Sequence, residues 1–195
     1  MGSVRIKLKD VAFVKAGHPF RGAITELPSH EGNGYVIQLK NIDNDGVVDW
    51  SQLTRTNITG RKIEFLKDGD VLFVARGSKI VSAAITEPPV DAVSSQHFFV
   101  ISLKQDVLLP EFLAWQLNQE TAQKYFQSTV EGSVQVSIKK NVLEDTVLTV
   151  PSLETQQSLT RLIKTAQIEK QLLNELINNR QKQITAIAAN LLKQG

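Results

Sequence analysis

Apolar positions along the 195-residue chain follow two periods, and the change from one to the other divides it. Up to about residue 150 they fall in short runs, at 35–39, 71–75, 98–103 and 146–150, rich in β-branched, aromatic and aliphatic residues. Such runs predict strands. Turn signals separate them, most clearly Asn44-Asp45-Gly46 and Lys67-Asp68-Gly69-Asp70, where Gly supplies positive φ and Asp or Asn bonds its own backbone. Pro88-Pro89 breaks any element there. One internal segment predicts helix: Pro110 stands where an N1 proline would, and Phe112, Leu113, Leu117, Tyr125 and Phe126 carry its apolar side. Residues 131–136 predict a polar loop, and Ser137 is placed to cap a short helical turn through Asn141.

From Leu153 the pattern becomes helical and stays so to near Lys193, with no Pro or Gly before Gly195. A seven-residue frame puts Ile163, Lys170, Ile177, Ile184 and Leu191 at one seam position, and Leu159, Ala166, Leu173, Arg180 and Ile187 at the other. Eight of these ten are apolar, which predicts a coiled coil; Leu162, Leu172 and Leu176 widen the face. About 39 residues at ~1.5 Å each span roughly 58 Å, against a radius of gyration near ~15 Å for a domain of about 150 residues. The helix is therefore expected to extend beyond such a domain and to ask for another helix, the alternative being one that breaks once and folds back. The expected fold is α+β: a β-rich domain over 1–151, then a long coiled-coil helix over 152–195 serving dimerisation.

Charge and composition narrow the function. Residues 1–151 carry 16 Lys+Arg against 17 Asp+Glu, and residues 152–195 carry six against three. Bulk charge therefore does not mark a non-specific DNA binder, and any DNA contact must come from local patches. The absence of Cys excludes disulfides, thiolate metal sites and Cys nucleophiles. No apolar run approaches the ~18 residues of a membrane span, and the N-terminal stretch does not read as a signal peptide. A soluble, cytoplasmic protein without membrane contact is expected. Gly32-Asn33-Gly34 lacks the context of a dinucleotide site, His18, His30 and His97 are scattered, and the carboxylate pairs Asp43/Asp45 and Asp68/Asp70 belong to turns. No metal site and no catalytic residue is expected, and the chain reads as non-enzymatic by itself.

Several motifs occur in a recognisable order. Leu8-Lys9-Asp10-Val11-Ala12 and Ala16-Gly17 open the chain, followed by Tyr35-Val36-Ile37, Asn41-Ile42 and Gly46-Val47-Val48. Then come the run from Leu66 through Gly69 to Leu72, Ala75-Arg76-Gly77-Ser78, His97-Phe98-Phe99-Val100-Ile101 and Leu109-Pro110-Glu111-Phe112-Leu113. Gly132-Ser133-Val134-Gln135 leads to Ile138, and Val150-Pro151-Ser152-Leu153-Glu154-Thr155-Gln156-Gln157 opens the long helix. Together these resemble a target-recognition domain and helical spacer of type I restriction–modification DNA specificity subunits, over nearly the whole chain. Members usually carry two of each; here there is one of each, as in a half-length subunit.

The resemblance implies a non-catalytic subunit that reads a few base pairs in the major groove. It implies pairing with a second half subunit, as a homodimer through antiparallel helices or with another half subunit. The helices would set the gap between half-sites, and the target would be bipartite and, for a homodimer, palindromic. It also implies DNA adenine methyltransferase subunits, which carry S-adenosylmethionine, and a restriction or translocase subunit as further partners; no cofactor is expected on this chain. The alternative is a coiled-coil oligomeric adaptor whose β-rich domain binds protein; a small hydrolase or transferase is a further rival.

Candidate DNA contacts form two main clusters. Arg76, Ser78 and Lys79 follow a strand, where Arg suits guanine and Lys suits phosphate. Ser133, Gln135, Ser137, Lys139 and Lys140 form the second, where Gln can read adenine and, if Ser137 caps a helix, that helix start favours phosphate. His18 and Arg21 around Pro19-Phe20 could form a mobile basic arm; Lys40 and Asn41 follow one strand, and Gln96 and His97 precede another. Trp50 and Trp115 read as core. Dimerisation is assigned to Leu159, Ile163, Ala166, Leu173, Ile177, Ile184, Ile187 and Leu191, with Lys170 and Arg180 as cations in the seam that either snorkel or fix register.

Overall fold

The computed structural model describes residues 3–28, 30–130 and 136–192. Its elements in chain order are β1 (Val4–Lys7), α1 (Leu8–Val11), β2 (Ala12–Ala16), β3 (Gly34–Ile37), β4 (Thr54–Thr56), β5 (Val71–Val74), β6 (Arg76–Gly77), β7 (Ser82–Ala84), β8 (Ala92–Ser94) and β9 (Phe98–Leu103). There follow α2 (Pro110–Leu117), α3 (Glu120–Ser128), β10 (Val136–Ser137), α4 (Lys140–Glu144), β11 (Val147–Val150) and α5 (Leu153–Leu192). The fold is α+β, as the two periods require. The chain divides into two compact units, one running to Gln157 and one starting at Ser158.

In the first unit the central sheet is antiparallel with strand order β2-β9-β5-β7. Its strand β5, Val71-Leu72-Phe73-Val74, is buried at all four positions. A strand points alternate side chains to opposite faces, so such a run needs cover on both. On one face Leu72 and Val74 join Ile37, Ile42, Leu66, Ala83, Ala92 and Phe98 in one cluster. Ile37 and Ala92 bring in the sheet β4-β3-β8, where β3 pairs antiparallel with β4 and parallel with β8. On the other face Phe73 meets Phe126 of α3 edge-on at 5.0 Å. Trp50 packs against the main cluster and Trp115 against Phe112, so both tryptophans serve packing.

Sequence and structure part at element ends. Strand β3 stops at Ile37, because Asn41 accepts from the Gln38 amide (2.9 Å) and turns residues 39–41 into a 3-10 helix. The internal helix is two helices, α2 and α3. Asn118 between them gives its side chain to Ser82, donating to its carbonyl (2.8 Å) and accepting from its N–H (2.7 Å), so it completes the edge of β7. Gln116 does the same for Thr149 of β11, at 2.8 and 2.9 Å. Ser137 does not cap α4; it lies in β10, and Lys139 is the cap residue. Gly46 (φ 78°) and Gly69 (φ 84°) provide the left-handed turns that their motifs predict.

The base of α5 is held by one buried amide. Gln156 is fully buried. Its Oε1 accepts from Leu109 N (2.9 Å), and its Nε2 donates to the carbonyls of Val107 (3.0 Å) and Pro151 (2.9 Å). Leu109 is the residue at the start of α2, so this amide ties the first turn of α5 to the approach of α2. From Leu153 to Leu192 the helix is unbroken, 40 residues in length. Among the described residues no helix is long and apolar enough to cross a membrane.

Two measurements check this account. Gln156→Leu leaves the Leu109 N–H and two carbonyls without partners. It is expected to cost about 2–4 kcal/mol of stability, read from the urea midpoint; a loss under about 0.5 kcal/mol contradicts the assignment. The second concerns α4, whose end is held by Lys9 (2.8 Å) and Lys7 (3.0 Å) on Asp145. Hydrogen bonding from Lys9, then Lys7, holds the Asp145 carboxyl below its ordinary 3.8. A lowered carboxyl stabilises the fold above its unfolded pKa and loses that contribution as pH falls through the folded value. Asp145→Asn is therefore expected to lower the melting temperature slightly at pH 7 and to converge on the unmodified chain as pH falls below 3.8 and through the lowered folded value. A gap that persists there contradicts the pairing.

Candidate nucleic-acid interface

Arg76 owes its exposure to a local irregularity. After the buried run of β5, the N–H groups of both Ala75 (2.8 Å) and Arg76 (3.1 Å) donate to the single carbonyl of His97. Two residues facing one make a bulge, which re-aims the side chains that follow. Ala75 is buried and Arg76 is exposed.

The bulge also joins two segments sixty residues apart. Ala75 O accepts from Ile138 N (2.8 Å), and β6 pairs antiparallel with β10, Arg76 opposite Ser137. The Arg76 cluster and the Ser137–Lys140 cluster, separate in sequence, therefore lie side by side. Ser78, Ser137, Lys139 and Lys140 are exposed, and Lys140 also pairs with Glu144 at 3.4 Å. Ser133 and Gln135 lie outside the described residues.

The loop after β6 runs along residues 39–44. A Cβ at Gly77 would stand 3.3 Å from the Leu39 side chain, so a larger residue would press on this turn. Lys79 donates to Ile42 O (2.6 Å) and to Asn44 Oδ1 (3.2 Å), which makes it a brace with a surface charge. Lys40 is exposed in the same turn. Asn41 is not available for DNA: it is 1% exposed, with its amide donating to Gln52 O (2.7 Å) and its oxygen accepting from Gln38 N.

Residues 17–21 reach the same neighbourhood from the other side. His18 N donates to Ser94 O (2.7 Å), Phe20 N donates to Gln96 Oε1 (3.1 Å), and the His18 and Phe20 rings meet at 4.9 Å. Phe20 packs on Val36, Ile58 and Val93. The expected mobile arm is thus a docked segment, with Arg21 exposed at its end. Gly17 allows the docking, since a Cβ there would come within 2.1 Å of Ser95 O. Gln96 and His97 link this segment to Arg76, one through Phe20 and the other through the bulge.

Sequence reasoning passed over Arg61. The preceding Gly60 lies beside the His18 imidazole, 3.6 Å from a Cβ position to Cε1. Arg61 is exposed. The nearby strand end looks cationic but is occupied: Arg55 lies over the Tyr35 ring at 4.9 Å and donates to Glu31 O and Gly32 O. Among the described residues no group of three or more His, Asp or Glu is placed to hold a metal.

The second unit is α5 from Ser158 onward. Along it Leu173, Ile177, Ile184, Ile187 and Leu191 are each more than half exposed, as are Leu162, Leu172 and Leu176. Ala166 is exposed, and Leu159 and Ile163 are half-buried.

Comparison with known proteins gives this arrangement its family. Comparison with curated protein sequences returns no match. Solved structures do match. One is a type I restriction-modification system S subunit from M. genitalium, with 16% identity, TM-score 0.60, 93% of this chain and 43% of that one covered. Another is the HsdS subunit from Thermoanaerobacter tengcongensis, with 17% identity, TM-score 0.65, and 93% and 46% covered. A third comes from a study of complex assembly and conformational transition in the type I R-M system, with 18% identity, TM-score 0.56, and 88% and 40% covered. These likenesses are of fold, and the chain spans less than half the length of each. The family model described as type I restriction modification DNA specificity domain matches residues 4–178. A domain of that family supplies recognition and not catalysis, and with nearly its whole length matched, this chain belongs to the type I restriction modification DNA specificity domain family.

Proposed function

We propose that the chain is the sequence-reading subunit of a type I restriction–modification assembly, acting on duplex DNA as one half of a two-part specificity module. The observation that carries this reading is the convergence of polar and basic residues from separate segments on the Arg76–Ser137 pairing. Lys40, Lys79, Lys139 and Lys140 accompany that pair, Gln96 adjoins the His97 that the bulge uses, and Arg21 follows the Phe20 that Gln96 bonds. Arg76, raised by a bulge, suits bidentate contact to guanine, whereas lysines and serines suit phosphates. Ser133 and Gln135 are proposed contacts on sequence grounds alone.

In this reading residues 1–151 recognise DNA and residues 152–195 join two copies through antiparallel helices. The apolar positions of α5 support it, because an apolar stripe on a helix is satisfied by another helix. Two-fold symmetry maps onto an interrupted, palindromic target. Adenine methyltransferase subunits bearing S-adenosylmethionine, and a restriction or translocase subunit, would dock on this assembly in the cytoplasm. A protein-binding adaptor is the rival, and salt-dependent, sequence-selective binding to DNA separates the two.

Binding to duplex DNA across a salt series tests the reading. For a duplex containing the preferred site, Arg76→Ala is expected to cost about 1–3 kcal/mol and to relax preference at one base position. Lys139→Ala is expected to weaken all duplexes alike and to lower the slope of log K against log salt by about one. Absence of salt-dependent binding by the unmodified chain, or equal effects of both substitutions on every duplex, contradicts it.

A further inference from the structure

Asn33, Asn41, Gln116, Asn118 and Gln156 each bond the chain through both ends of the side-chain amide. Gln96 is held by one end only. Its Oε1 accepts from Phe20 N (3.1 Å), and among the described residues its Nε2 has no partner. Chemistry settles the orientation: a backbone N–H can only donate, so the atom that meets it is the oxygen, and the NH2 group is the end left over. Gln96 is half-buried. A polar group so placed is completed by water or by a bound partner.

The support beneath this donor is short and tied on both flanks. Phe98 N donates to Ser95 O (3.2 Å), closing a tight turn with Gln96 and His97 at its centre. On one flank His18 bridges Ser95 in parallel, and Gly17 N donates to Phe98 O (2.9 Å). On the other, His97 O accepts from Ala75 N and Arg76 N, the two groups that make the bulge. Gln96 thus directly precedes the residue whose carbonyl turns Arg76 outward, and its side chain is anchored on a different segment. Phosphate contacts position a protein on DNA, whereas discrimination between base edges needs a group held at a set place and angle. An amide fixed at one end on a tied turn meets the second need.

A donor separates bases by what stands opposite it. Guanine O6 and thymine O4 accept from it, whereas the amino groups at adenine N6 and cytosine N4 are themselves donors. Bidentate reading of adenine requires the amide oxygen as well, and here that oxygen is already occupied by Phe20 N. We propose that Gln96 determines specificity at one base pair by offering Nε2 as a fixed donor to a keto oxygen, guanine O6 or thymine O4, on the surface that presents Arg76. The inference rests on the DNA reading proposed above and adds the base edge that a further residue recognises.

Selection from random duplexes by the full-length chain and two variants supplies the test. Gln96→Glu keeps an oxygen for Phe20 N and replaces the donor by an acceptor; Gln96→Met removes the donor without adding charge. Both are expected to lose the preference at the same single base pair and to keep the others, with melting temperatures showing that they fold. At that base pair, a guanine or thymine analogue lacking the keto oxygen is expected to bind the unmodified chain about tenfold more weakly and to make little difference to Gln96→Met, so that the two changes do not add. Equal weakening on every duplex with all preferences kept makes Nε2 a phosphate contact and overturns the inference. So does a penalty that persists in Gln96→Met, or one that follows removal of a purine N7 in place of the keto oxygen. If the unmodified chain selects a site and both variants select the same one, this inference alone fails; if the unmodified chain selects no sequence, the DNA reading beneath it fails.

Discussion

A buried amide ties the base of α5 into the first unit. Gln156 is a first-turn residue of a helix that is otherwise largely exposed, yet it is fully buried and makes three hydrogen bonds to backbone. A buried amide so fully satisfied is favourable only as a set, because removing it strands each of its partners. The same device recurs at Gln116, Asn118 and Asn33, each using both ends of its side chain on the N–H and C=O of a single distant residue. The need is general here. The sheets are small, some of two strands, and short strands leave edge groups that must be paired elsewhere. Side-chain amides supply that pairing and, in doing so, decide how the sheets and helices of the first unit meet.

The candidate interface follows from the same economy of backbone pairing. One carbonyl, that of His97, accepts from two successive N–H groups, and the resulting bulge turns Arg76 outward while Ala75 stays in the core. A two-residue ladder then fixes Ser137 opposite it. Neither feature shows in any local pattern. Their effect is to hold polar side chains from distant segments on short, backbone-bonded supports, which is what readout of base edges requires.

What the sequence could tell follows the range of each interaction. The helix from Leu153 was legible because its period is local and uninterrupted, and the buried strand β5 because four consecutive apolar residues need two covered faces. The break at Asn118 was not, since it depends on a side-chain amide bonding Ser82 far along the chain, and neither was the end of β3, where Asn41 turns back on Gln38 while its other end is held by Gln52. Ser137 carried a good capping residue type into a strand because Arg76 offered it a ladder. Asn41 looked like a reader of bases by its place after a strand, and burial made it a brace. Arg61 had no local signal at all, because the placement of the preceding Gly60 beside His18 is a matter of tertiary contact.

The proposed reading, a DNA-reading domain paired through its own helix, rests on a bulge-raised arginine beside a strand from another segment and on the exposed apolar positions of α5. Selection of bound sequences from a pool of random duplexes by the full-length chain tests it most directly. The account predicts a target of two identical, inverted half-sites separated by a gap of fixed length. Enrichment of a single uninterrupted site, or of no sequence at low salt, would contradict it.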